Sequence, residues 1–138
     1  MATDAQLTQP LPGERPATPV LALLLGWLIP GAGHLLTGRY VRAALLFAAI
    51  LGMYLTGLAL SGQLYTTASG EILDILSYVG QLGLGLLYFI ARWSGWGATS
   101  VVTTIGDYGT KFLIVGGLLN IISAVDAYSL ANGRKALK

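Results

Sequence analysis

The sequence predicts an all-α integral membrane protein, built from four hydrophobic helices with the first kinked or re-entrant at Pro30. Three observations carry this. Apolar stretches without acids or bases other than tyrosine and His34 cover roughly 18–36, 43–70, 75–91 and 112–125. Only 10% of the 138 residues are charged while 54% are apolar, against about 25% charged in an ordinary soluble domain. Aromatic residues (Tyr40, Tyr65, Tyr88, Trp93, Trp96, Tyr108 and Tyr128) fall near the ends of the stretches, where amphipathic rings sit at membrane–water interfaces. A helix of ~20 apolar residues crosses a hydrocarbon core about 30 Å thick. Four such spans use most of the chain and leave room for one membrane domain, 18–132, between an N-terminal tail, 1–17, and a basic C-terminal tail, 133–138.

The first 17 residues hold Pro10, Pro12, Gly13 and Pro16 among polar side chains, a composition that buries too little apolar area to offset the entropy of ordering. A secretory signal is disfavoured because Arg15 stands beside Glu14 and no convincing small-x-small cleavage site follows. Segment one opens with Thr18 and Pro19, an N-cap and N1 pair, and Gly38 is placed to end it. Inside it, Pro30 has no N–H for the carbonyl of Gly26, so the helix kinks or breaks where Gly31 and Gly33 add freedom. His34 is expected to bond a backbone group freed there.

Segment two follows Arg39, Tyr40 and Arg42, and its stack Ala48, Gly52 and Thr56 offers a small-residue ridge for close helix packing. Segment three follows Glu71 and Asp74, acids suited to a helix N-terminus, and its ridge is Ser77, Gln81 and Gly85. Residues 93–106 look like an interfacial loop. Asp107 can cap segment four, which runs to about Ala131 with Gly116, Asn120 and Ala124 as its ridge and Asn132-Gly133 as its stop. No internal repeat is convincing.

The eight Lys and Arg residues are scattered through the loops rather than blocked to track a phosphate backbone, which speaks against nucleic acid as a partner. Without cysteine there is no disulfide, thiolate nucleophile or Cys-type metal site. The lone histidine lacks an HExxH-like companion, and no metal or cofactor is expected. If the four spans alternate, His34, Arg39, Arg42, Arg92, Asp107 and Lys111 share one membrane face, and Glu71, Asp74 and Asp126 the other. His34 and Asp126 then lie most of a bilayer apart, and a His-carboxylate centre is not expected.

Asp126 is the one acid well inside an apolar helix; it is either an interfacial carboxylate paired with Arg15, Arg134 or Lys135, or an intramembrane functional acid. Gln81 and Asn120 suit hydrogen bonds between helices. Arg39, Arg42, Arg92 and Lys111, with Trp93 and Trp96, form a candidate lipid-headgroup surface, with simple positive-inside anchoring as the alternative. The Lys and Arg counts on the two faces tie, so orientation stays open.

The run Leu28-Ile-Pro-Gly-Ala-Gly-His34 followed by Thr37-Gly-Arg-Tyr40 and an apolar helix resembles the first hairpin of TM2-domain-like bacterial membrane proteins. Gly117-Leu-Leu-Asn120 and Asp126-Ala-Tyr128 are also similar to a small, uncharacterised bacterial membrane family with the same opening. The Asp-Arg-Phe turn of the TM2 pattern is absent. The resemblance implies a helical protein of a bacterial cytoplasmic (inner) membrane and no particular activity. The expected function is a non-enzymatic scaffold or interaction module contacting anionic lipid, a second copy or another membrane protein. A small transporter or channel component is the alternative, suggested by the broken first helix, Gln81, Asn120 and Asp126.

Overall fold

The computed structural model of the protein describes residues 19–65, 70–96 and 104–132. Both tails and the middle of the 93–106 loop lie outside them. The described residues form six helices: α1 Pro19–Leu28, α2 Ala32–Leu36, α3 Tyr40–Ala59, α4 Ile72–Leu82, α5 Leu86–Trp93 and α6 Thr104–Ala131. Two of them, α3 and α6, are long and apolar enough to cross a membrane, and α4 with α5 would make a third span if taken as one. Many large apolar side chains point outward, among them Leu45 and Leu55 on α3 and Ile122 and Val125 on α6, each half exposed or more. An exterior of this kind suits lipid, and together with helices long and apolar enough to span a bilayer it marks the chain as a membrane protein.

Four expected helices become two long rods and two broken pairs. The first break falls at Ile29-Pro30-Gly31, where proline cannot continue the ladder and Gly31 takes φ 80° at the start of α2. The chain folds back there, so Gly33 of α2 lies against Ala22 and Gly26 of α1. The second break separates α4 from α5 by 110° and has the same device, Gly85 at φ 61° just before α5. The return arm is tied down because the Tyr88 hydroxyl donates to the carbonyl of Tyr65, 2.9 Å away. Each return arm ends in a hydroxyl residue and a positive-φ glycine: Thr37 Oγ1 donates to His34 O before Gly38, and Ser94 Oγ donates to Ile90 O before Gly95.

The chain thus repeats one plan, a folded-back pair and then a long helix, that its residue identities do not display. α3 and α6 run antiparallel: Arg42 reaches Asp126, Ile50 lies by Gly116, and Gly57 meets Gly109 and Leu113. α1 also runs against α6, with Gly26 beside Ala124. The second pair therefore starts from the opposite end of α6 to the first. A core of Ile50, Tyr54, Leu64, Leu84, Tyr88, Ala91 and Leu113 fills the space among α3, α6 and the second pair. α6 begins at Thr104, so Asp107 lies in its first turn, one turn inside the cap position expected for it.

The buried face of α3 is Ala43, Ile50, Tyr54 and Gly57. Ala48, Gly52 and Thr56 lie on the opposite, exposed side, and a Cβ on Gly52 would meet nothing within 4 Å. The ridge expected to pack inside this chain instead faces outward. Stacked small residues mark a surface where helices can approach, and they do not say whether the approaching helix belongs to the same chain.

Candidate functional site: a mid-depth junction and a charged end

The two folded-back tips meet at Asn120. This residue sits about 24 Å from Thr104 and about 16 Å from Ala131 along α6, at ~1.5 Å per residue, and is fully buried. Its Nδ2 donates to Trp27 O in the first tip and to Gly83 O in the second, both at 2.8 Å. The indole of Trp27 completes the junction by donating to Leu82 O at 3.0 Å. The carbonyls of Trp27 and Gly83 are left over because both helices stop there, and in an apolar surround each needs a donor. Asn120 supplies two from one amide.

Glycine makes the approach possible. The backbone of Gly117 lies against Gly80, that of Gly83 against Gly117, and that of Gly85 against Trp27, with no room for a Cβ. Gly116, with Met53 and Leu84 as neighbours, has ordinary contact space. Asn120 Oδ1, Ser123 Oγ and the Tyr54 hydroxyl are buried without a hydrogen-bond partner among the described residues.

A second polar cluster braces the last turn of α4, just before the tip. Gln81, fully buried, accepts from Tyr65 N and donates to Gln63 O, each at 2.8 Å, which pins the segment after α3. Thr110 Oγ1 accepts from Gln63 N and donates to Gly106 O. Burial, with Asp74 and Asp107 nearby, pushes the Tyr65 phenol above its ordinary value. Asp74 and Asp107 each lie in the first turn of their helix, and α4 runs parallel to α6, with Gly80 by Ile114 and Gly83 by Gly117, so both acids lie at one end of the fold.

The opposite end carries the arrangement that alternating spans would forbid. His34 Nε2 lies 3.2 Å from Asp126 Oδ2, and Arg42 reaches the same oxygen at 3.3 Å. His34 and Asp126 meet because the stretch 75–91 bends back between α4 and α5 instead of crossing, so α6 returns to the end where α3 begins. The bond to a carboxylate places a proton on Nε2. The imidazole is fully buried, Asp126 is mostly covered, and the Arg42 side chain is half exposed. Chemically this is a chain of orientation: an enclosed imidazole fixes a carboxylate, which fixes an outward guanidinium. No group of three or more His, Cys, Asp or Glu able to hold a metal occurs among the described residues.

The same bend divides the candidate headgroup surface. Arg39 and Arg42 stand at the Asp126 end, whereas Arg92, Trp93, Trp96 and Lys111 belong to the return arm and first turns at the Asp107 end. Trp27 and Thr110 were not singled out from sequence; Trp27, a tryptophan in the middle of an apolar stretch rather than at its edge, was the available signal.

Residues 21–136 match the model of a family described as of unknown function (DUF6677), which carries no TM2-domain label. No curated protein and no solved structure matches the chain.

Proposed function

The chain belongs to the DUF6677 family, and we propose that it works as a non-enzymatic interaction module of the membrane, its α3 helix docking a second copy or another membrane protein. The observation that carries this reading is the exposed ridge of Ala48, Gly52 and Thr56, with open space over Gly52. Lipid tails are as apolar as leucine, so helices associate in a bilayer where small residues let backbones approach. The close glycine packing at the Asn120 junction supports the same reading, since it favours a rigid body over an open path. Crosslinking in native membranes followed by detergent capture tests it. The expected result is a reproducible homo-oligomer or partner that Gly52→Leu removes; monomer alone, with and without that substitution, overturns it.

A second reading, a small transporter or channel component, is favoured by one specific feature. Two helix pairs entering from opposite ends and meeting at mid-depth is the plan on which transporters place their binding sites, and Asn120 Oδ1 is buried there without a hydrogen-bond partner among the described residues. Flux through reconstituted vesicles that is lost in Asn120→Leu would support it, and the absence of flux would remove it.

A further inference from the structure

Because both broken pairs return to the end from which they start, the order of Lys and Arg along the sequence is divided unequally between the two ends at which helices begin and stop. The chain enters α1, turns from α2 into α3 and leaves α6 at one end, where Arg39 and Arg42 stand. In the sequence Arg15 precedes α1 by four residues and Arg134, Lys135 and Lys138 follow α6 within seven, so six of the eight Lys and Arg residues belong to chain that leads into or out of helices at this end, and Arg92 and Lys111 belong to the other. Alternating spans give a tie because they move Arg92 and Lys111 across. Lys and Arg close to membrane segments are retained on the cytoplasmic side.

We propose that the end bearing Arg39 and Arg42 faces the anionic cytoplasmic leaflet, and that the groove at the start of α3 seats the phosphate of an anionic phospholipid. The groove, about 470 Å³, is lined by Gly38, Arg39, Tyr40, Val41, Arg42 and Leu45. Its chemistry is amphipathic in the sense a lipid needs: two guanidinium groups at the interface, then Val41 and Leu45, both mostly exposed, leading onto the outward face of α3. Asp126 lies 3.3 Å from one nitrogen of the Arg42 guanidinium, whose side chain is half exposed, and the guanidinium carries further donors for an anion. Two arginines against one carboxylate leave the groove positive. Arg39, at the N-cap of α3, makes no side-chain cap bond, so the first N–H groups of a 20-residue helix add to the same field. The proposal rests on the membrane reading above but not on the identity of any protein partner.

Two experiments test it on the full chain. The absence of cysteine permits single-cysteine labelling with a membrane-impermeant maleimide. Leu36→Cys and Asn132→Cys are expected to react only from the cytoplasmic side, and Glu71→Cys and Ser94→Cys only from the outer side. Labelling of Ser94→Cys on the same side as Leu36→Cys would restore a crossing at 75–91 and overturn the proposal, as would an inverted pattern at all four positions. For the groove, protein in mixed micelles of phosphatidylglycerol and phosphatidylcholine is weighed by native mass spectrometry. The wild type is expected to retain the anionic lipid several-fold over the zwitterionic one, Arg39→Gln to bring the ratio near unity, and Arg92→Gln to leave it unchanged. An unchanged ratio in Arg39→Gln, or one abolished equally by Arg92→Gln or by inorganic phosphate, refutes a lipid site there. The retention is read on the monomer, so failure to capture a protein partner would leave it intact.

Discussion

Gly117 and Gly52 both lie inside long apolar helices, and the structure assigns them opposite consequences on replacement by alanine. At Gly117 a methyl group would fall inside contact distance of the Gly80 carbonyl oxygen, with the Gly80 carbon at 3.0 Å and Leu84 N at 3.3 Å. All three are backbone atoms, so no rotamer change relieves the clash, and α4 must withdraw by roughly 1 Å or more to recover ordinary van der Waals separation. That withdrawal also stretches the 2.8 Å bond from Asn120 to Gly83 O. Overpacking of this kind costs about 3 kcal/mol, and the weakened interhelical bond about 1 kcal/mol. Alanine returns about 1 kcal/mol of helix propensity over glycine, leaving a net destabilisation of about 3 kcal/mol. At Gly52 the new methyl meets nothing within 4 Å, so only the propensity gain of up to about 1 kcal/mol remains. Reversible unfolding by sodium dodecyl sulfate in mixed micelles, followed by tryptophan fluorescence, measures both. If the two variants agree to within about 0.5 kcal/mol, the ordinary scatter for substitutions away from critical contacts, the α4–α6 contact described here is wrong.

Asn120→Leu removes the donors to Trp27 O and Gly83 O; a loss of about 2 kcal/mol is expected, together with faster hydrogen exchange at both tips, and unchanged exchange there would contradict the junction. Asp126→Asn should lower stability by about 2 kcal/mol and move the ring resonances of His34, the one histidine in the chain, so nitrogen NMR of that imidazole reads the contact without assignment; an unmoved signal would separate His34 from Asp126. Gln81→Leu frees Tyr65 N and Gln63 O together, and limited proteolysis is expected to cut between α3 and α4 several-fold faster than in the wild type; an unchanged rate would place the pin elsewhere. Thr110→Val keeps the shape of the side chain and loses its bonds to Gln63 and Gly106, with an expected cost of about 1 kcal/mol in the same detergent titration.

Hydropathy made the helices and the membrane legible, because the solvent demands apolar exteriors and satisfied backbones wherever the chain runs through lipid. The first break, between Leu28 and Ala32, brackets Pro30, whose missing N–H is a local sign that a sequence can display. The second break, at Gly83-Leu84-Gly85, lies in a stretch as apolar as its neighbours, and apolarity carries no information on the direction of travel. Reading 75–91 as one rod therefore placed His34 and Asp126 on opposite faces, although glycines two apart were a visible sign of a turn. Asn120 reaches carbonyls at both tips, partners that stay hidden in the sequence because carbonyls freed by a break are invisible until the break is known; Gln81, expected to bond across helices, instead holds the backbone of the segment after α3. Gly52 shows the converse: a periodic ridge states that something can pack there, and tertiary arrangement decides what.

The position of Asn120 in the last helix sets an order on biogenesis. Synthesis delivers both helical pairs and α3 before the amide that joins the tips exists, so Trp27 O and Gly83 O spend that interval without it. Each pair must then be held in the bilayer with an unsealed apex. Closure of the two tips waits on the emergence of a residue in α6, and a ribosome stalled before it would leave a chain whose two pairs are not yet fastened.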